Sequence, residues 1–93
     1  MLPLQGIAAR VIAEVIRRQP PSPERTSFAW SVAVGPALAR VTTVQLHDHD
    51  LIVVARDARW QRELERARET ILARLQTLLG AESVKGLHIH VHA

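Results

Sequence analysis

Residues 57–80, DARWQRELERARETILARLQTLLG, decide how the rest of the chain is arranged. Trp60, Leu64, Ala67, Ile71, Leu75 and Leu78 recur three or four positions apart, so one α-helix over 57–80 lines them along a single apolar side. Asp57 supplies an N-cap acceptor, and Gly80 supplies the kind of residue at which helices commonly close. At about 1.5 Å per residue the helix is roughly 35 Å long, as long as a small domain is wide. Every other segment is expected to lie against its apolar side.

Working outward, Leu51 to Ala55 is an unbroken apolar run just before the helix, the pattern of a strand with both neighbours and both faces protected. Before it, residues 43–47 alternate, with Val44 and Leu46 on one face and Thr43, Gln45 and His47 on the other. A polar four-residue turn, His47 to Asp50, makes the two strands a hairpin. Beyond the helix, Leu87, Ile89 and Val91 alternate with His88, His90 and His92 in a last strand. A right-handed strand, helix, strand crossover sets this strand parallel to the one from Leu51.

Two helices precede the hairpin. In residues 4–18, Leu4, Ile7, Val11 and Val15, with Ile12 and Ile16 beside them, repeat at helical spacing. Pro3 suits the helix start, Arg17 and Arg18 its negative end, and Pro20 with Pro21 its stop. Ser22 as N-cap and Pro23 at N1 open a second helix to Val34, with Phe28 over Val32 and Trp30 over Val34 as two adjacent apolar strips. Gly35 and Pro36 break it, and a short helical turn follows over 37–41. The fold class is therefore α+β, in the order α-α-β-β-α-β, with a three-stranded sheet packed on one long helix. Residues 1–93 are expected to form a single domain without internal repeat, linker or low-complexity tail.

The chain has 93 residues, 47% of them hydrophobic, enough for one core. It contains no cysteine, which removes disulfides and thiolate metal sites. No apolar run approaches the ~20 residues of a membrane span, and the first residues lack the pattern of a signal peptide, so a cytoplasmic location is expected. Twelve Lys and Arg, eleven of them Arg, against nine Asp and Glu give a net charge of +3. That excess permits phosphate binding without demanding it. With only Phe28, Trp30 and Trp60 as aromatics, a base-stacking platform of several exposed rings is not expected.

A set of residues recurs here in a known order. Trp30 is followed by Val34 and Gly35, then by Leu51 and Val53 in the second hairpin strand, then by Trp60, Glu63 and Leu64 opening the long helix. Leu75, Leu79, Gly80, Ile89 and Val91 complete it. Over roughly residues 28–91 the sequence resembles the DciA family of bacterial replicative-helicase operators. The resemblance implies a KH-like α+β domain that binds single-stranded or tailed DNA and cooperates with the replicative helicase DnaB. His49 stands where the family usually has a turn glycine, a place histidine tolerates better than most residues. The sequence has no Gly-x-x-Gly loop, so a KH-like fold does not bring the backbone clamp of a true KH domain.

Arg59, Arg62 and Arg66 form a basic stripe on the long helix, suited to a row of phosphate contacts. Glu63, Glu65 and Glu69 can instead pair with them locally, leaving an ordinary solvated face. Arg17 and Arg18 at the end of helix one are further candidates. Trp30 and Trp60 could stack on bases, but both lie in core-facing stripes and, with Gly35 and Leu64, are assigned to the framework. His88, His90 and His92 have the two-residue spacing of a strand metal site, yet equally fill the polar positions of an exposed strand. The histidines gain positive charge as pH falls, which favours anion binding. No serine sits in a nucleophile motif and no phosphate-cradling glycine loop is present, so neither catalysis nor a cofactor is expected. The alternative to a nucleic-acid module is a protein-interaction or self-assembly domain using the exposed sheet or the first helix.

Overall fold

The computed structural model describes residues 2–92, with side chains from Arg10 onward. Its elements are α1 (Leu2–Arg18), α2 (Pro23–Val34), α3 (Pro36–Arg40), β1 (Thr42–His47), β2 (Asp50–Ala55), α4 (Ala58–Arg66), α5 (Arg68–Leu79) and β3 (Gly86–Val91). None of the described helices is long and apolar enough to cross a membrane.

The sheet has the order β1-β2-β3. Strand β2 pairs antiparallel with β1, Val44 opposite Val53, and parallel with β3, Val53 opposite Ile89. The hairpin is tighter than the sequence suggests. His47 pairs directly with Asp50, leaving Asp48 and His49 as a two-residue turn. The residue with positive φ is Asp48, at 55°, rather than His49. A short polar side chain tolerates that region, and the turn is more compact for it.

Leu51, Val53 and Ala55 of β2 and Leu87 and Ile89 of β3 face a core shared with Leu64, Ile71, Leu75, Leu78 and Leu79. Each large side chain buried there contributes ~1.5–3 kcal/mol. The alternate residues Ile52 and Val54 stay half-buried on the far face. Protection of β2 on both faces is thus corrected: it has two neighbouring strands but helices over only one face.

The long helix over 57–80 is also corrected. Ala67 leaves helical geometry at φ −96°, ψ 8°, dividing the stretch into α4 and α5. The backbone hydrogen bonds survive the bend. Ala67 N–H is shared between Glu63 O at 3.3 Å and Leu64 O at 3.2 Å, while Ile71 N–H donates to Ala67 O at 2.9 Å. Helix α4 packs on β2 and β3, whereas α5 packs on α1 and α2 as well as β3. A straight rod would have to serve both sets of neighbours along one axis. The expected apolar side nevertheless faces inward, from half-buried Trp60 through Leu64, Ile71, Leu75 and Leu78.

The two N-terminal helices turn differently from expectation. In α1 the buried residues are Ala13 and Ile16, with Ile12 packed against the core, while Val11 is 56% and Val15 49% exposed. Leu4 and Ile7 lie outside the residues whose side chains are described. In α2 the inward side carries Thr26, Ala29, Trp30 and Ala33, leaving Phe28 52% exposed, so there is one buried strip rather than two. Small alanines flanking Trp30 let the indole occupy the core without crowding. Ser22 caps α2 by accepting from Arg25 N–H at 3.0 Å. Gly35, at φ 88° and ψ 165°, turns the chain directly from α2 into α3.

Candidate nucleic-acid interface

Helix α4 is held at both ends of its first turns by local chemistry. Asp57 Oδ1 accepts the Trp60 N–H at 3.1 Å, capping the helix, and Leu64 anchors it with no exposed surface. The bend at Ala67 falls after Arg66, so Arg59, Arg62 and Arg66 remain on one helix, and all three are exposed. Their surroundings differ. The Arg59 guanidinium carbon lies 5.3 Å from the centroid of the Trp60 ring. Such a cation–π contact holds the charge in place at an exposed site, contributing ~0.5–1 kcal/mol. Arg66 pairs with Glu63 at 3.6 Å. Among the described residues Arg62 makes no ion pair.

Arg17 and Arg18 stand elsewhere, on α1, which packs on α5. Both reach Glu14, at 3.9 Å and 3.5 Å. Pairing on an exposed helix adds little stability, but it offsets the charge available to an incoming phosphate. Of the five sequence candidates, Arg59 and Arg62 are therefore the two without a carboxylate partner among the described residues.

The framework residues lie beneath this surface. Trp30 and Leu64 are buried, Gly35 sits at the α2–α3 joint, and Trp60 is half-buried, packed against the core with one face under Arg59. The histidine strand also has a partner that sequence proximity does not reveal. Parallel pairing of β2 with β3 brings Asp50 to His88, Oδ1 to Nε2 at 3.3 Å. His90 and His92 are exposed, and among the described residues no group of three or more His, Asp or Glu is arranged to hold a metal ion.

Sequence reasoning passed over one basic cluster. Arg40 ends α3, Arg56 follows β2 and His92 follows β3. Two backbone hydrogen bonds bring these ends together, Arg56 N–H to Val41 O and His92 N–H to Ala55 O, each at 2.8 Å. All three residues line one depression of about 350 Å³ beside Thr43 and Val54. No periodicity joins residues so far apart in the chain. The available signal was topological: residues that follow two parallel strands emerge at the same end of a sheet.

These features define a small α+β module, helices on one face of a mixed three-stranded sheet, with cations gathered on α4 and at one end of the sheet. The model of the family described as "Dna[CI] antecedent, DciA" matches residues 4–89, and the chain belongs to the DciA family. That family has its role in DNA replication, in association with loading of the replicative helicase, and it is not a known enzyme family. No curated protein matches the chain.

Proposed function

We propose that this chain is a non-enzymatic, KH-like module of the bacterial cytoplasm that binds single-stranded or tailed DNA and works with the replicative helicase DnaB. The observation that carries this reading is the family match across residues 4–89. It is supported by Arg59 and Arg62, exposed on a rigidly capped helix without carboxylate partners among the described residues. Guanidinium forks of this kind suit phosphate oxygens and add a sequence-independent, salt-sensitive attraction.

Fluorescence anisotropy with a labelled single strand at two salt concentrations tests the nucleic-acid half of the proposal. Binding that weakens as salt rises is expected, and no binding at low salt would refute it. Retention of purified DnaB on the immobilised chain tests the other half.

A second reading, self-association without nucleic acid, draws on Val11 and Val15 of α1 and Phe28 of α2, each about half exposed. Light scattering showing a defined oligomer, together with no DNA affinity, would favour it.

A further inference from the structure

We propose that Arg40, Arg56 and His92 form a phosphate-binding basin that takes a phosphodiester group of a single DNA strand, a site separate from the α4 stripe. The inference rests on the nucleic-acid reading above and assigns it a specific place.

The cluster is assembled by the fold. The cations come from three chain segments, and the backbone hydrogen bonds from Arg56 to Val41 and from His92 to Ala55 tie those segments side by side. The depression, about 350 Å³, is at the lower end of the ~300–1,000 Å³ range of ligand pockets, fitting one phosphate with part of its sugar rather than a large ligand. One of its lining residues is fixed by the framework. Thr42 Oγ1 accepts the Trp30 indole N–H and donates to Leu38 O, both at 2.8 Å, so this hydroxyl is committed to the framework.

The electrostatics point one way. Among the described residues no carboxylate lines the basin, and none of its three cationic or titratable side chains is in an ion pair. The nearest acidic residue in the sequence, Asp57, caps α4 through Oδ1 and is not among the residues that line the basin. Two guanidiniums and an imidazole on residues that line one depression, with no counter-ion among the described residues, offer planar donor forks to an anion with several oxygens. The exposed arginines of α4 begin three residues beyond Arg56, so a strand held in the basin has further cations along the same stretch of chain.

The test compares wild type, R40Q/R56Q and R59Q/R62Q for binding to a fluorescein-labelled oligothymidylate across a salt series, with circular dichroism to check that each is folded. It is joined by a titration of the ¹⁵N-labelled wild type with the oligonucleotide and, separately, with inorganic phosphate, following the Arg56 and His92 amides. For R40Q/R56Q the expected result is an affinity loss of about tenfold or more, and a salt slope smaller by about 0.7, the value for one phosphate contact on a single strand. Both amides should shift with the oligonucleotide. Unchanged binding by R40Q/R56Q, with wild type and R59Q/R62Q behaving as the broader reading expects, overturns the basin alone. Failure of the wild type to bind at low salt overturns the broader reading and the phosphodiester assignment together. Shifts with inorganic phosphate but not with the oligonucleotide would identify free phosphate as the ligand and also overturn it.

Discussion

Trp30 and Thr42 are joined by a 2.8 Å hydrogen bond from the indole N–H to the threonine Oγ1, which in turn donates to Leu38 O. This chain of two bonds fastens α2, α3 and the start of β1 at one point, and Thr42 lines the same depression as Arg40, Arg56 and His92. A buried indole that lost its acceptor would leave an unsatisfied donor, so the pair holds the packing of the core and the shape of the surface at once.

Replacing Trp30 by Phe should keep most of the packing but remove the donor, destabilising the protein by ~1–2 kcal/mol in urea denaturation. Trp30→Ala, which also opens a cavity, should cost ~3–5 kcal/mol and abolish the fold by circular dichroism. Trp60→Ala should cost less than Trp30→Ala, because Trp60 is only half-buried. Equal losses for the two alanine variants would contradict the difference in burial.

Gly35→Ala meets no atom within 4 Å of the new Cβ, yet it should destabilise by ~1–3 kcal/mol. With φ 88° and ψ 165° the backbone there lies in a region that glycine alone occupies comfortably. A thermal midpoint equal to that of wild type would show that the α2–α3 joint relaxes without strain.

The two faces of β2 should respond differently to polar substitution. Val53→Thr places a hydroxyl in the closed core and should cost at least 1–3 kcal/mol, whereas Ile52→Thr on the open face should cost about 1 kcal/mol or less. Denaturant midpoints of the two variants compare them directly, and an Ile52→Thr loss as large as that of Val53→Thr would mean that the outer face is covered in solution.

Within the nucleic-acid reading, R59Q/R62Q should weaken binding to a single strand more than R17Q/R18Q. Arg17 and Arg18 are both drawn to Glu14, while Arg59 and Arg62 have no carboxylate partner among the described residues. Anisotropy at low salt ranks the two variants. The same logic predicts that Glu14→Gln tightens binding while changing stability by only ~0.5 kcal/mol, because surface pairs contribute little to folding.

Local periodicity and capping chemistry were legible because each acts within a few residues. Spacing placed Leu64, Ile71, Leu75 and Leu78 on the inward side, an unbroken apolar run placed Val53 and alternation placed Ile89 in the sheet, and Ser22 and Asp57 marked two helix starts that their side chains do cap. The parallel setting of β3 followed from the helix that precedes it.

What residues distant in the chain do to one another was decided only by the tertiary structure. Alanine is a good helix former, so nothing near Ala67 announces a bend; it arises because α4 and α5 answer to different neighbours. In α1, Val11 with Val15 and Ile12 with Ile16 are both helical stripes, and the fit against the rest of the core selects the second. Asp50 beside His88, and Arg40 with Arg56 and His92 around one depression, depend on strand register and on which chain ends emerge together. A sequence states its own short-range geometry, whereas the charge pattern of a surface belongs to the whole packed chain.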